Sequence, residues 1–211
     1  SKCCGGVMET FESCWEDAPK PYLKPLADKV DETDAPDLTD ESEAARWIME
    51  RPESFCNTAD PEILSQVLNN YDQETSDFYR WSIEYTPRQL SSLVMRKSGI
   101  DFGEIIDLRP IKRGPSGRII LLKIKGSKRE LTVGKELEIR RWLSESHLYS
   151  SAFTVERGDN GNFILRGAGW GHGAGLCQIG AAAMGAKGFN YRQILAHYYP
   201  GSEIRKISKN I

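Results

Sequence analysis

The chain has no run approaching the roughly 18 apolar residues that a membrane-spanning helix needs, and no leader pattern at its start. It has no dense run of Lys and Arg: 28 basic and 30 acidic residues leave a net charge of -2. That balance argues against nucleic acid as a partner. The stretch 204–209 is mildly basic and reads as a solvated strand face. A GxGxxG loop with an acidic residue at the expected offset is missing, which excludes a dinucleotide site of that type. Histidine is scarce, at three residues, and no two lie one helical turn apart as a zinc helix needs. The first 56 residues contain no CxxC pair and no His.

What is present is a chain of 211 residues, long enough for one large domain or two small ones and for a real core. It opens Ser1-Lys2-Cys3-Cys4-Gly5-Gly6, which reads as the interior of a domain. An upstream segment is expected to precede it.

Five cysteines are present, and four of them, Cys3, Cys4, Cys14 and Cys56, fall in the first 56 residues; the fifth is Cys177. An odd count leaves at least one unpaired within the chain, or paired outside it, or on a metal. The clustering favours disulfides among the four in an oxidising compartment. A structural zinc site is the rival reading. Adjacent Cys3 and Cys4 fit poorly as a pair of their own.

Residues 1–15 read as a strand and a turn at Gly5-Gly6. Residues 16–40, with Pro19, Pro21, Pro25 and Pro36, read as a long surface loop. Asp40 is a candidate N-cap for a helix ending near Pro52, and Asp60-Pro61 opens another carrying Ile63, Leu64, Val67 and Leu68. Trp81–Tyr85 alternates as a strand does, and Thr86-Pro87 starts a helix. Runs 105–112 and 118–125 flank Gly114-Pro115-Ser116-Gly117 and read as a hairpin; residues 134–143 read as a helix. A second hairpin, 152–156 with 163–166, surrounds Asp159-Asn160-Gly161. The sum is an α+β fold with mostly antiparallel strands and several short helices. It reads as a single domain over 1–211, with 81–150 as a candidate inserted α/β subdomain.

The segment 167–201 carries the chemistry. Gly167, Gly169, Gly171, Gly173 and Gly175 recur at every second position, with Trp170 and His172 on the other phase. This reads as a glycine-rich strand stripped of side chains on one face, where a ligand approaches main-chain amides. An indole and an imidazole beside it suit a sugar. The competing reading is a tight packing crossing with a hydrogen-bonded core histidine. A small-residue helix over 176–187 follows, capped by Gly188, with Gln178 in its first turn. Its N-terminal amides are expected to favour an anionic group. Asn190 then caps a helix ended by Pro200-Gly201.

The stretch GAGWGHGAGLCQIGAAAMGAKG, followed by YRQILAHYYPG, closely resembles the C-terminal signature of the sporulation stage II protein D and amidase-enhancer family. Cys4-Gly5-Gly6 with Glu9 and Cys14-Trp15 resembles that family's central glycine-pair segment, and Ser116-Gly117-Arg118 before an apolar strand also fits. The resemblance implies lytic transglycosylation of peptidoglycan glycan strands. A carboxylic acid protonates the glycosidic oxygen, the sugar's own 6-hydroxyl attacks C1, and a 1,6-anhydro product forms. The family's acid/base glutamate lies in a Glu-Met-Pro-like segment that this chain does not contain. An intact protein carrying it would be the enzyme; otherwise the chain is a wall-binding or amidase-activating module. A purely structural envelope protein is the weakest alternative.

By the resemblance, His172 and Gln178 are the candidates for catalysis. Glu9, Trp170, Gly171, Gly173 and Tyr199 are the candidates for substrate binding. Glu9 reads equally well as a turn-stabilising carboxylate, and Tyr198 as core. No metal ligand and no cofactor is assigned beyond the zinc alternative. The expected partners are glycan strands, an N-terminal segment of the same protein and other cell-wall hydrolases. The expected location is the extracytoplasmic cell envelope.

Overall fold

The computed structural model describes residues 1–30, 36–68 and 77–205. Part of the expected loop 16–40 and most of the basic stretch 204–209 therefore lie outside the described residues. Among the described residues no helix is long and apolar enough to cross a membrane.

The fold is α+β. The elements are α1 (Phe11–Cys14), α2 (Glu41–Glu50), α3 (Pro61–Leu64), β1 (Arg80–Tyr85), α4 (Pro87–Ser98), β2 (Ile105–Arg113) and β3 (Ile119–Gly126). There follow β4 (Glu130–Val133), α5 (Glu136–Trp142), β5 (Phe153–Arg157), β6 (Phe163–Ala168), α6 (Gln178–Ala186) and α7 (Tyr191–Tyr198). Two three-stranded antiparallel sheets result, ordered β1-β6-β5 and β2-β3-β4.

Local chemistry accounts for most boundaries. Asp40 accepts from the Ser42 and Glu43 amides and starts α2. Thr86 and Gln89 form a capping box at α4, with Pro87 in the first turn. Asn190 and Gln193 do the same at α7. Both expected hairpins form: the Gly117 amide bonds the Gly114 carbonyl at 2.9 Å, and the Gly161 amide bonds the Gly158 carbonyl at 2.8 Å. Three expectations shift. The helix opened by Asp60-Pro61 covers only Pro61–Leu64 before it becomes a turn. Residues 1–9 form isolated bridges rather than a strand, pairing Cys3 with Trp170, Val7 with Ala27 and Glu9 with Ala174. The four-residue edge strand β4, in which Leu131 and Val133 alternate with Glu130 and Thr132, is not among the elements expected from the sequence.

The largest core cluster draws on both sheets. Trp81, Phe153, Phe163 and Leu165 meet Leu108, Ile119, Leu122 and Ile124, closed by Leu90 and Val94 of α4 and Ile139 and Trp142 of α5. Burial of each such side chain contributes about 1.5–3 kcal/mol. Gly167 is opposite Trp81 in the β1–β6 register, and a Cβ there would collide with the indole ring. A second cluster joins Cys3, Cys4, Met8, Phe55, Cys56, Phe78, Tyr79, Cys177, Ile179, Met184 and Tyr198. It holds residues 1–9 against the start of α6.

Candidate functional site

The glycine ribbon begins in β6 with Gly167 and then leaves the sheet. Gly169, Gly171, Gly173 and Gly175 all take positive φ, between 68° and 98°. A regular strand cannot accommodate that, so the ribbon runs as a coil stitched to residues 1–9. Cys3 and Trp170 exchange both backbone hydrogen bonds, at 3.0 and 2.8 Å, and the Glu9 amide bonds the Gly173 carbonyl at 3.1 Å.

The stripped face is covered by the protein's own atoms. A Cβ on Gly173 would lie 2.5 Å from the Arg118 guanidinium carbon, and its φ of +87° disfavours any side chain. Arg118 is fully buried. Its Nε and Nη2 donate to the Gly171 carbonyl at 3.1 and 3.0 Å, and its Nη1 donates to the Cys4 carbonyl at 3.0 Å. Gly171 and Gly173, expected to face substrate, therefore receive an arginine instead. The packing-crossing reading describes this face.

Glu9 is likewise enclosed, at 0% exposure. Its Oε2 accepts from the Ser116 hydroxyl at 2.6 Å and from the Ser116 amide at 3.2 Å, and its Oε1 accepts from the Thr10 amide at 2.9 Å. Burial raises its pKa, while the Ser116 and Thr10 hydrogen bonds and Arg118 pull it back. A Cβ on Gly114 would strike its carboxylate. Glu9, expected among the substrate contacts, thus braces the ribbon from inside and has no solvent access here.

On the opposite phase Ala168 and Ala174 are buried, while Trp170 and His172 keep partial exposure. His172 is half-buried, and its Nδ1 accepts from the Ala174 amide at 3.1 Å. That bond places the proton of the neutral ring on Nε2. Burial, the Ser1 amino group, Arg118 and Arg140 lower its pKa to about 3. At neutral pH the ring is therefore an uncharged hydrogen-bond donor. Trp15, 43% exposed, packs its indole against this imidazole with ring centroids 4.7 Å apart. Phe11 also packs against Trp15, with ring centroids 4.8 Å apart. Helix α1 presents both rings, and Cys14 behind them donates to the His172 carbonyl at 3.3 Å. In sequence, Trp15 belongs to the segment that resembles the family and carries no assigned role. Its position depends on a four-residue helix that periodicity does not reveal.

Trp170 is turned inward, packed against Tyr149 at 4.3 Å and Phe78 at 4.8 Å, and remains half-buried. Tyr199 accepts from the Leu176 amide at 3.2 Å, which fixes the turn before α6. The first amides of α6 are also occupied: Gln178 and Ile179 donate to the carbonyls of Ser1 and Lys2 at 2.9 and 3.1 Å. The anion site expected at that helix end is therefore filled by backbone. The Gln178 side chain is exposed there.

The cysteines depart from the expected disulfide staples: Cys3, Cys4, Cys14, Cys56 and Cys177 are all free and buried. Cys14 stands apart, at the ribbon, with its thiol pushed up to about 12 mainly by burial. The others converge. The ligand atoms of Cys4, Asp28, Cys56 and Cys177 all lie within 4.8 Å of one another. Asp28 accepts from the Tyr198 hydroxyl at 2.7 Å and from the Cys56 amide at 3.1 Å, and its Oδ1 lies 3.4 Å from His197 Nε2. Burial pushes Cys56 up to about 12. Burial would raise Cys177 too, yet the Cys3, Cys4 and Cys56 thiols and the Gly180 amide together hold it well below the usual thiol range. No sequence spacing announces this cluster, because its members come from four separate segments.

Two relatives match over part of the chain. An uncharacterized protein of Brachyspira hyodysenteriae (strain ATCC 49526 / WA1) is 42% identical over 67 residues, 32% of this chain and 18% of that protein. The amidase enhancer of Bacillus subtilis (strain 168) is 36% identical over 67 residues, 32% of this chain and 9% of that protein. The matched segment is thus a small fraction of either relative's length. A family described as a domain of unknown function (DUF8618) matches residues 9–175, most of the chain, and the chain belongs to that family.

Proposed function

We propose that this chain engages the glycan strands of bacterial peptidoglycan, as part of a longer extracytoplasmic protein that cleaves them by lytic transglycosylation. The observation that carries the reading is the exposed Trp15 packed at a tilt of 56° against His172, itself seated on the glycine ribbon. An indole offers a flat apolar face to a pyranose ring, and a neutral imidazole donates one hydrogen bond beside it. The partial likeness to the amidase enhancer and the GWGHG-to-YYPG signature support a cell-wall substrate.

The chemistry needs a carboxylic acid at the glycosidic oxygen, and Glu9 is sealed away from that face. His172, depressed to about 3, carries no proton to give as an imidazolium at neutral pH. In this reading the acid comes from a Glu-Met-Pro-like segment of the intact protein, while these residues hold the sugar. The same two observations favour a second reading, a non-catalytic module that binds the wall or activates an amidase.

The test uses peptide-free glycan strands. The chain binds them, and Trp15→Ala raises the Kd about tenfold, a loss of about 1.4 kcal/mol, with an unchanged thermal midpoint. Undiminished affinity in that variant overturns the assigned face. Incubating a protein that joins this chain to a Glu-Met-Pro-like segment with the same strands and looking for 1,6-anhydro ends by mass spectrometry separates cleavage from binding alone.

A further inference from the structure

We infer that Cys4, Cys56, Cys177 and Asp28 form a site for one tetrahedral divalent metal ion of the zinc class, which pins residues 1–9 to the start of α6. The four ligand atoms converge within 4.8 Å, and the four residues are 0–1% exposed. Cys4 Sγ and Cys56 Sγ are 3.6 Å apart. Two thiolates on one tetrahedral zinc, each about 2.3 Å from the ion, stand about 3.8 Å apart, whereas a disulfide needs about 2.05 Å. The observed separation matches shared coordination.

The surroundings also fit. Ligating carboxylates and thiolates are held by outer hydrogen bonds. Asp28 accepts from Tyr198, Ser54 and the Cys56 amide, at 2.7, 3.2 and 3.1 Å. Cys177 Sγ accepts from the Cys4 amide at 3.3 Å. A Cβ on Gly180 would lie 2.7 Å from Asp28 Oδ2, so the glycine in α6 makes room for the carboxylate. Three sulfur ligands select a borderline or soft ion, and a single carboxylate oxygen completes a set that zinc accepts. Binding releases to solvent whatever thiol protons the three cysteines still carry and changes no oxidation state. Cys3 borders Cys56 and Cys177 but is not one of the four.

The ligands come from the N-terminal segment, the loop before α2, the loop after it and the residue preceding α6. An ion there ties together segments that no disulfide joins. Its effect is on stability of the ribbon, because the metal binds the folded site far better than the unfolded chain.

The experiment is metal analysis of the chain purified under reducing conditions. The expected result is about one zinc per chain, with cobalt in its place giving the intense visible bands of a tetrahedral thiolate site. Chelation exposes Cys4, Cys56 and Cys177 to alkylation and lowers the thermal midpoint by about 10 °C, both reversed by zinc. Cys177→Ala loses the metal, and Cys3→Ala retains it. Since Cys177→Ala can also fail to fold, the alkylation pattern of the unsubstituted chain serves as the independent readout. Less than about a tenth of an equivalent after incubation with zinc under reductant overturns the site. So does a Cys4–Cys56 disulfide in peptide maps of the protein as isolated. Metal retained by Asp28→Asn but lost by Cys3→Ala overturns the assignment of the fourth ligand.

Discussion

The Ser116 hydroxyl stands between Glu9 and Arg118, donating to the carboxylate at 2.6 Å and accepting from the guanidinium at 2.9 Å. Through it the buried carboxylate and the buried cation share one hydrogen-bonded network, and Arg118 passes that network on to the Gly171 and Cys4 carbonyls. Glycine ribbon, N-terminal segment and the β2–β3 turn are joined at this point.

Removing Glu9 takes away the buried carboxylate that faces Arg118 through the Ser116 hydroxyl. Glu9→Ala is expected to cost about 3 kcal/mol in urea unfolding, and Glu9→Gln clearly less, because the amide still accepts from Ser116. Equal stability of all three proteins would contradict the bracing role.

Gly173→Ala sets a methyl group against Arg118 and forces an L residue to a φ of +87°. The expected destabilisation is about 3 kcal/mol, from strain and displaced packing together. Gly188→Ala offers a comparison: φ is +88° there but nothing lies within 4 Å of the added carbon. Its loss should be smaller, and the difference between the two midpoints measures the arginine contact.

His172 sets a pH dependence. Its folded pKa, lowered to about 3, lies below the unfolded value near 6.5, so the unfolded chain takes up the proton first. Stability contributed by the neutral ring is complete above about pH 6.5 and is lost as pH falls toward 3, with a slope of at most about 1.4 kcal/mol per pH unit. Glu9 acts in the other direction, since a raised carboxyl pKa favours the folded state at lower pH. Comparing the parent with His172→Gln at several pH values cancels Glu9 and isolates the ring. The variant should show a shallower acid slope; parallel curves would refute the assignment.

Asp40 accepts from two amides of the first turn of α2 while remaining exposed. Asp40→Ala is expected to lower the urea midpoint with an unchanged denaturant slope. Asp40→Asn should recover most of that loss.

The elements that could be read from the residues are those written in local chemistry. Thr86-Pro87 with Gln89, Asn190 with Gln193, and the Gly114–Gly117 and Asp159-Asn160-Gly161 turns each specify their structure within a few positions. The elements that escaped depend on distant partners. Helix α1 is four residues long, and its rings are placed by packing on His172. The glycine alternation is visible in the residues, but its causes are not: Trp81 crowds Gly167, the Cys3–Gly5 backbone crowds Gly169, Ser1 crowds Gly171 and the buried Arg118 crowds Gly173. The cysteines invited a staple because four cluster in sequence, whereas the structure sorts them by space. It separates Cys14 and recruits Cys177 across most of the chain.

The backbone clasp between Ser1–Lys2 and Gln178–Ile179 has a kinetic implication. Its partners are more than 170 positions apart, so the clasp closes only after nearly all the intervening chain has been made and ordered. During synthesis the opening segment, with Cys3 and Cys4, waits without its mates while the two sheets assemble. This half of the molecule is set to fold last, and its thiols are most vulnerable to wrong pairing in that interval.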